Sequence, residues 1–527
     1  MNDIQYHLMT LVEELDDICS RNGIKYWMCG GCSIGIERHD GFIPWDDDVD
    51  LFITRSDYIK LDKILSESIA PDRAWVTQDN YPEYANPLPR YIDLNTTQLL
   101  RSRLADGTPF GQAVEFFVLD PFPSDPDEQL EYRKYQWVYC ELQATRFMIA
   151  NSSRYEEVDE DLYNYYAERA EKEGKEKILK EIEEEHLTYP EENCEYYIAR
   201  WGVHDSIVKR EWVDNIIYRD FEGFNVPFFK DNIEYLFYTE YGYNWNELPP
   251  KKSRGGHSGT AYTFLDKPYD MYLDEVTEMV RESDFDEYLQ IDKQKNLQLK
   301  FLDIRQQRAE AVEYHALLEE WIRKSEKNFG KFDWRKLEWY ASQIWPYMNL
   351  QFTKRYYLTK SRAAISDEFL LFVIQYLTFS NRIDDAIIIT DLYRNKSVAR
   401  EQRKIIDDIC EMKIRKYEGN VERTAELVES LSADPMLAHQ LEVERTAMWL
   451  QVQKDKQDPK AEGGSPALRR NLENSNDLEV LKYLGDYWYD RGETTMADFY
   501  YSKVGSTRNG MILKDLVRKG FLNPSVV

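Results

Sequence analysis

Residues 30–52 read GGCSIGIERHDGFIPWDDDVDLF, and this stretch decides the fold. It opens on Gly30 and Gly31 and closes on Asp46, Asp47, Asp48 and Asp50. The closing part alternates as a strand does, with Val49, Leu51 and Ile53 on one face and Asp48 and Asp50 on the other. Side chains two apart on a strand point the same way and lie about 7 Å apart. Two carboxylates so placed can grip one hard divalent cation between them, or two side by side. Without a cation they would repel, and one would take up a proton. A solvated acidic turn is the plain alternative in so acidic a chain. The apolar run FIPW before the acids, and the alternation through them, favour the strand, because carboxylates among apolar residues need something cationic to offset them.

Upstream, GIKYWMCGG (23–31) predicts a short strand running into a Gly-Gly turn, and SIGIERH (33–39) the first turns of a helix. Backbone N–H groups at a helix N-terminus, approached through glycines, suit a phosphate. Strand, Gly-Gly, helix and acid-bearing strand follow one another as at the start of nucleotidyltransferase-type domains.

The run from Leu11 to Tyr58 resembles the LicD family of phosphotransferases. The resemblance rests on Gly30 and Gly31, on the pair Arg38 and His39, and on Gly41–Asp50, which matches G-F-I-P-W-D-D-D-x-D. It implies a nucleotidyltransferase-like fold. It also implies transfer of a phospho-alcohol, such as phosphocholine, from a CDP-linked donor to a hydroxyl of a cell-surface glycan or teichoic acid precursor, which can be lipid-linked. Three later stretches continue it to about residue 260. Asn95 and Thr96 match the end of a family strand, and EFFVLD (115–120) stands where the family has D-I-F-P-L-D. Phe221-Glu222-Gly223, Val226-Pro227, Tyr241-Gly242 and the Arg254…His257 pair match its closing segment.

The expected site follows. Asp48 and Asp50, with Glu115 as third ligand, would hold one or two Mg²⁺ or Mn²⁺ ions. Gly30, Gly31 and Ser33 would cradle phosphate, and Arg38 would neutralise charge developing in the transition state. His39, Asp46 and Asp47 would shape the pocket or take the acceptor's proton. Arg254 and His257 are candidate phosphate or substrate contacts in a polar loop. Trp45 either stacks on the base or the quaternary ammonium of the donor, or packs beneath the loop. Asp120, before Pro121, reads as a turn residue. The residues alone also allow attack at the α-phosphorus, which would transfer the nucleotide to a small molecule or protein. A non-enzymatic scaffold with a decayed site is a third reading, disfavoured by the intact acids.

At 527 residues the chain exceeds one ordinary core. A formal charge of −29 excludes nucleic acid as partner, since that needs a basic stripe. Six scattered cysteines make no disulfide framework, and Cys29 and Cys32 read as small buried residues, because no second pair completes a zinc set. No run approaches ~20 apolar residues, so a cytoplasmic protein is expected, peripheral at the inner membrane face if its acceptor is lipid-linked.

Helices are expected over 3–22, ended by Asn22-Gly23, over 56–69, and through the charged 127–200 segment. From about 290 the pattern is helical, with helix–turn–helix units around Ala386 and Ala425 and breaks at Asn381 and Gly419. Leu481, Leu484, Gly485, Trp488, Ala497, Tyr501 and Val504 follow the tetratricopeptide order, and 455–466 reads as an exposed loop. The expected architecture is therefore an α/β (α+β) nucleotidyltransferase-like catalytic domain over 1–265 and an all-α, degenerate tetratricopeptide-like repeat domain over 290–527. The repeats would offer a groove for a protein partner or self-association, or would pack the catalytic half.

Overall fold

The computed structural model describes the chain except residues 82, 83, 85, 87, 101–107, 144–157, 200–206, 240, 257–259, 275–294, 296, 307, 308, 310–366, 380, 381, 434–436, 438–440, 442–476 and 525–527. Helix α1 spans Asp3–Asn22. Asn2 and Gln5 cap it reciprocally, and Gly23 closes it in the left-handed region at φ 64°. Its Leu8, Leu11, Val12 and Leu15 are buried in the cluster that covers one face of the sheet.

The strands of the N-terminal region are β1 (Tyr26–Met28), β2 (Asp50–Thr54), β3 (Arg73–Val76), β4 (Arg90–Asp93), β5 (Thr97–Leu100), β6 (Gln112–Phe122), β7 (Tyr196–Ala199), β8 (Ile207–Lys209), β9 (Ile216–Phe221), β10 (Phe224–Phe229) and β11 (Thr260–Phe264). Seven form a curled mixed sheet in the order β1-β2-β6-β4-β3, with β7 pairing β6 and β8 pairing β7. β5 pairs β11, and β9 pairs β10, outside that sheet. Only β2 and β6 run parallel within it. Helix α2 (Gly30–Arg38) lies between β1 and β2, and α3 (Arg55–Ser68) follows β2.

The alternation through the acids holds. Val49, Leu51 and Ile53 join the apolar cluster beneath α1, and Phe52 joins the cluster on the other side. The regular strand starts later than the pattern suggests, at Asp50, so Asp48 lies in the lead-in rather than in the strand. The pairing already begins at Val49, whose carbonyl accepts from Glu115 N at 3.1 Å. Residues 90–100 form two strands, β4 and β5. Asn95 and Thr96 make the turn between them, where Thr96 Oγ1 donates to Asp93 O at 2.8 Å and accepts from Gln112 N at 2.8 Å. Asp120 is no turn residue. It is buried in β6 and takes a two-pronged bond from Arg55, at 2.7 and 2.8 Å.

The charged segment gives α4 (Pro126–Gln143), α5 (Glu160–Glu173) and α6 (Lys175–His186), followed by the strand β7 that the helical reading of 127–200 missed. Arg169–Glu173 and Lys172–Glu168 pairs lace the solvated face, as the spacing predicts. Two short helices, α7 (Arg210–Asp214) and α8 (Asn232–Tyr238), complete the N-terminal region.

The C-terminal region is helical: α9 (Asp367–Phe379), α10 (Ile383–Leu392), α11 (Ser397–Tyr417), α12 (Val421–Leu431), α13 (Leu478–Tyr489), α14 (Thr494–Val504) and α15 (Gly510–Arg518). Gly419, at φ 75°, breaks α11 from α12. In the α13–α14 hairpin a Cβ on Gly485 would stand 2.3 Å from the Tyr501 ring, so only glycine permits this approach. Asn381, the 455–466 loop and most of 292–325 lie outside the described residues. Among the described residues no helix is long and apolar enough to cross a membrane.

The two regions share one buried cluster. Trp27, Ile34, Phe52, Trp212, Phe229 and Tyr235 belong to it, and so do Leu370, Ile374, Ile406, Cys410, Ile414 and Leu427. Trp245 packs edge-on against Tyr417, with ring centroids 5.5 Å apart, and Tyr243 N donates to Asp384 Oδ1 at 3.2 Å.

Candidate active site

The Gly-Gly turn and the acids, read separately in the sequence, are one cluster. Helix α2 begins on Gly30 itself, at φ 60°. A Cβ there would stand 2.8 Å from Asp50 Oδ2, and one on Gly31 2.1 Å from Asp46 Oδ2. Both carboxylates thus lie against the first turn of α2, where the unpaired N–H groups and the helix dipole favour negative charge. Cys32 is buried among them. Its thiol is pushed well above its usual value by burial, and further by Asp46, Asp48 and Asp50. A thiol so held is inert packing, not a nucleophile.

Asp50 is level with Glu115 on the adjacent parallel strand, and Glu115 is level with Arg90 on β4 beyond it. The three side chains therefore share one face of the sheet, on strands about 4.8 Å apart. Arg90 Nε lies 2.9 Å from Glu115 Oε1, and the arginine side chain is almost wholly buried. Among the described residues, no three His, Cys, Asp or Glu side chains converge closely enough to hold an ion unaided.

The other expected residues divide. Ser33 is fully buried, and its hydroxyl donates to Met28 O at 3.3 Å. Arg38 is buried and donates to Trp245 O at 3.4 Å and Glu247 O at 3.3 Å. Burial, then Arg254, draws its pKa down to about 10, and Asp46 opposes them. Arg254 reaches the same place from its distant loop, with its guanidinium 4.8 Å from the centre of the Trp45 ring. The loop closes on the acids as well, since a Cβ on Gly256 would stand 2.3 Å from Asp47 Oδ2. His257 lies outside the described residues.

Trp45 is half-buried, with Arg254 over its face and His39 edge-on at 6.0 Å. A ring already carrying a guanidinium is a packing element of the loop, rather than an open platform for a donor headgroup. Trp45→Leu should accordingly raise KM for choline-bearing and glycerol-bearing CDP donors alike. A rise confined to the choline donor would restore the headgroup role.

His39 is held neutral. Burial chiefly, then Arg38, Lys514 and Arg254, lowers its pKa from 6.5 to about 3. Its Nδ1 faces Arg38 Nε at 3.5 Å, a long contact. As pH falls below 6.5 the unfolded chain takes up this proton before the folded one, so His39 subtracts stability progressively from pH 6.5 down to about pH 3 and nothing above that window. His39→Gln should therefore flatten the fall in melting temperature between pH 7 and pH 4. Parallel falls in the two proteins would show that His39 titrates normally.

Three further residues shape the site: Gln5 and Arg90, which the sequence reading did not single out, and Glu222, which it placed in the closing segment without a role. Gln5 of α1 donates from Nε2 to Asp46 O at 2.9 Å and Ile43 O at 3.1 Å, pinning the loop before the acids. Its signal was a polar side chain on the apolar face of an amphipathic helix. Glu222 accepts from Phe42 N at 3.3 Å and fills the space beside Gly41. Arg90 carried a weaker signal, a cation opening the strand RYID.

Residues 23–85 match the family described as LicD/FKTN/FKRP, nucleotidyltransferase domain. The lipopolysaccharide cholinephosphotransferase LicD of Haemophilus influenzae is 22% identical over 275 residues, which is 49% of this chain and 95% of that protein. Uncharacterised proteins of Rickettsia prowazekii and Rickettsia typhi are 40% and 38% identical over 60 residues, 11% of this chain and 23% and 19% of theirs. No solved structure matches. The stretch that carries the Gly-Gly turn, the Arg-His pair and the acidic cluster thus lies within the residues that match the LicD family model, and about half of this chain is similar to a LicD cholinephosphotransferase.

Proposed function

We propose that this chain is a transferase of substituted phosphate groups, moving phosphocholine or a similar phospho-alcohol from a CDP-linked donor to a hydroxyl of lipopolysaccharide or a related surface glycan. The observation that carries the reading is the convergence of Asp46, Asp48 and Asp50 on the glycine-led N-terminus of α2, with Asp50 level with Glu115. The name of the Haemophilus relative supports the choice of group and acceptor. The nucleotidyltransferase type of the fold, the repeat character of the helical region and work at the cytoplasmic membrane face belong to the same proposal.

Asp48 and Asp50, with Glu115 beside them, would hold Mg²⁺ or Mn²⁺. Such ions are ordinarily bound by one or two carboxylates and completed by water and substrate phosphates, so a set short of three convergent ligands fits. A bound cation supplies neutralisation of the donor diphosphate and a lower pKa for the acceptor hydroxyl. The chain's own groups do the rest. The first N–H groups of α2 meet phosphate oxygens across Gly30 and Gly31. His39, Asp46 and Asp47 are the candidates to take the acceptor's proton, with burial lowering the pKa of His39. Arg38 holds the Trp245–Glu247 loop from beneath, and Arg254 brings positive charge over Trp45.

The test is product identity. The full chain with Mg²⁺ and CDP-choline, CDP-ribitol or CDP-glycerol should release CMP. Pyrophosphate from CTP, with no CMP from any CDP-alcohol, would overturn the reading.

A further inference from the structure

The last helix among the described residues, α15, packs against Arg38 and Glu37 at the end of α2. The lead-in to α15 pairs with the loop that Arg38 grips: Leu248 N donates to Arg508 O at 2.7 Å and Gly510 N to Asn246 O at 2.9 Å. Asn246 closes the junction with its side chain, donating to Asn509 Oδ1 at 2.8 Å and accepting from Met511 N at 3.0 Å. A Cβ on Gly510 would stand 2.4 Å from both Cγ and Cδ of Arg38, so the arginine stem runs across bare backbone. One turn on, Lys514 Nζ donates to Glu37 O at 2.8 Å and pairs with Asp40 at 2.5 Å. Arg38 and His39 are thus bracketed between Glu37 and Asp40, both held by one lysine of α15. Asp40 has φ 61°, uncommon for a residue with a side chain, and Lys514 holds its carboxylate there.

We propose that α15 positions the Arg38–His39 pair and the loop it supports, with Gly510, Asn246 and Lys514 as positioning residues, so that the active centre is completed only when the C-terminal helix is docked. This rests on the reading of the site given above. It goes beyond that reading because Gly510 and Lys514 lie more than 470 positions from the Gly-Gly turn in sequence. The physical basis is that a guanidinium fixed through its stem, its head and the backbone of Glu37 before it has little freedom to move. A displacement of about 1 Å at such a point can cost about 10²-fold in rate without altering ground-state binding.

The experiment uses the full chain with CDP-choline, reading kcat and KM separately. Gly510→Val should lower kcat about tenfold or more with donor KM within about twofold. Should that variant fail to fold, Lys514→Met serves instead. It removes one half-buried ammonium and should lower kcat about threefold or more, with Lys514→Arg restoring most of it. Arg518→Ala, at the exposed end of the same helix, should leave both constants unchanged. In chains carrying ¹⁵N-labelled histidine, the His39 ring signal should move in Gly510→Val and Lys514→Met and not in Arg518→Ala. Parental kcat in both positioning variants while Arg38→Ala is inactive, or an unmoved His39 signal, would overturn the role of α15. Parental turnover in Arg38→Ala itself would instead overturn the site reading, and the His39 signal would still report the docking.

Discussion

Asp48→Asn and Asp50→Asn should each remove nearly all transfer while leaving the fold intact. The amide is close in shape to the carboxylate, and the backbone contact at the turn, Cys29 N to Asp50 O at 3.0 Å, is untouched by the change. What is lost is anionic oxygen beside the first turn of α2. If cation stabilisation of the transferring group is worth about 3–5 kcal/mol, turnover falls by about 10²–10³-fold or more. Stability should move the other way. Asp46, Asp48 and Asp50 stand near one another around buried Cys32, so neutralising one relieves repulsion. Mg²⁺ should raise the melting temperature of the parent and hardly that of the double variant, because an ion that binds only the folded state stabilises it by mass action. Equal metal-induced shifts in the two proteins would place the ion elsewhere.

Glu115 should behave differently, although it stands level with Asp50. Its carboxylate faces the nearly buried Arg90 at 2.9 Å. Glu115→Gln withdraws a charge that offsets that guanidinium, and breaking a buried pair costs about 3 kcal/mol. Loss of activity without loss of stability thus marks Asp48 and Asp50, and loss of both marks Glu115. A Glu115→Gln protein as heat-stable as the parent would show that Arg90 is adequately paired without it.

These contrasts also show what the sequence could disclose. The alternation of Val49, Leu51 and Ile53 with Asp48 and Asp50 is local, and it survives intact as two core clusters on opposite faces of β2. The end of α1 at Asn22-Gly23 was equally legible, because a left-handed glycine cap is written in the residues it uses. Roles that depend on a distant partner were not. Asp120 reads as a turn residue beside Pro121 until Arg55, at the start of a helix 65 positions earlier, is seen to bind it through both oxygens. Arg38 reads as a free cation until Trp245 and Glu247 are seen to occupy it. Ser33 reads as part of a phosphate turn, but helix α2 starts at Gly30, so Ser33 is already in its first turn and faces inward. For Asp120 and Arg38 the residue type was noticed and its direction was set by chain far away, whereas for Ser33 it was set by the early start of its own helix.

The helical region makes the largest case of this, and ending the chain near residue 285 tests it. Read from sequence, the repeats could be a separate module whose removal leaves a working catalytic half. The structure packs α9 through α12 onto the sheet region through one apolar cluster, in which Leu370, Ile374, Ile406, Cys410 and Leu427 share a core with Trp27, Phe52, Trp212 and Phe229. Lys413 lies 5.2 Å from the centre of the Tyr243 ring, and Asp384 receives the N–H of Tyr243. Truncation would turn that face to water. Exposing even ~400 Å² of apolar surface costs about 10 kcal/mol at about 25 cal/mol per Å², comparable with the whole stability of an ordinary domain. The shortened chain should therefore be insoluble or unfold far below the parent's melting temperature, with no CMP release from CDP-choline. Its refolding with a separately expressed 286–527 fragment should recover soluble protein, because the missing surface is apolar and specific to that partner. A soluble, cooperatively melting 1–285 chain that turns over CDP-choline would show that the helices are an appended module and that the shared cluster is dispensable.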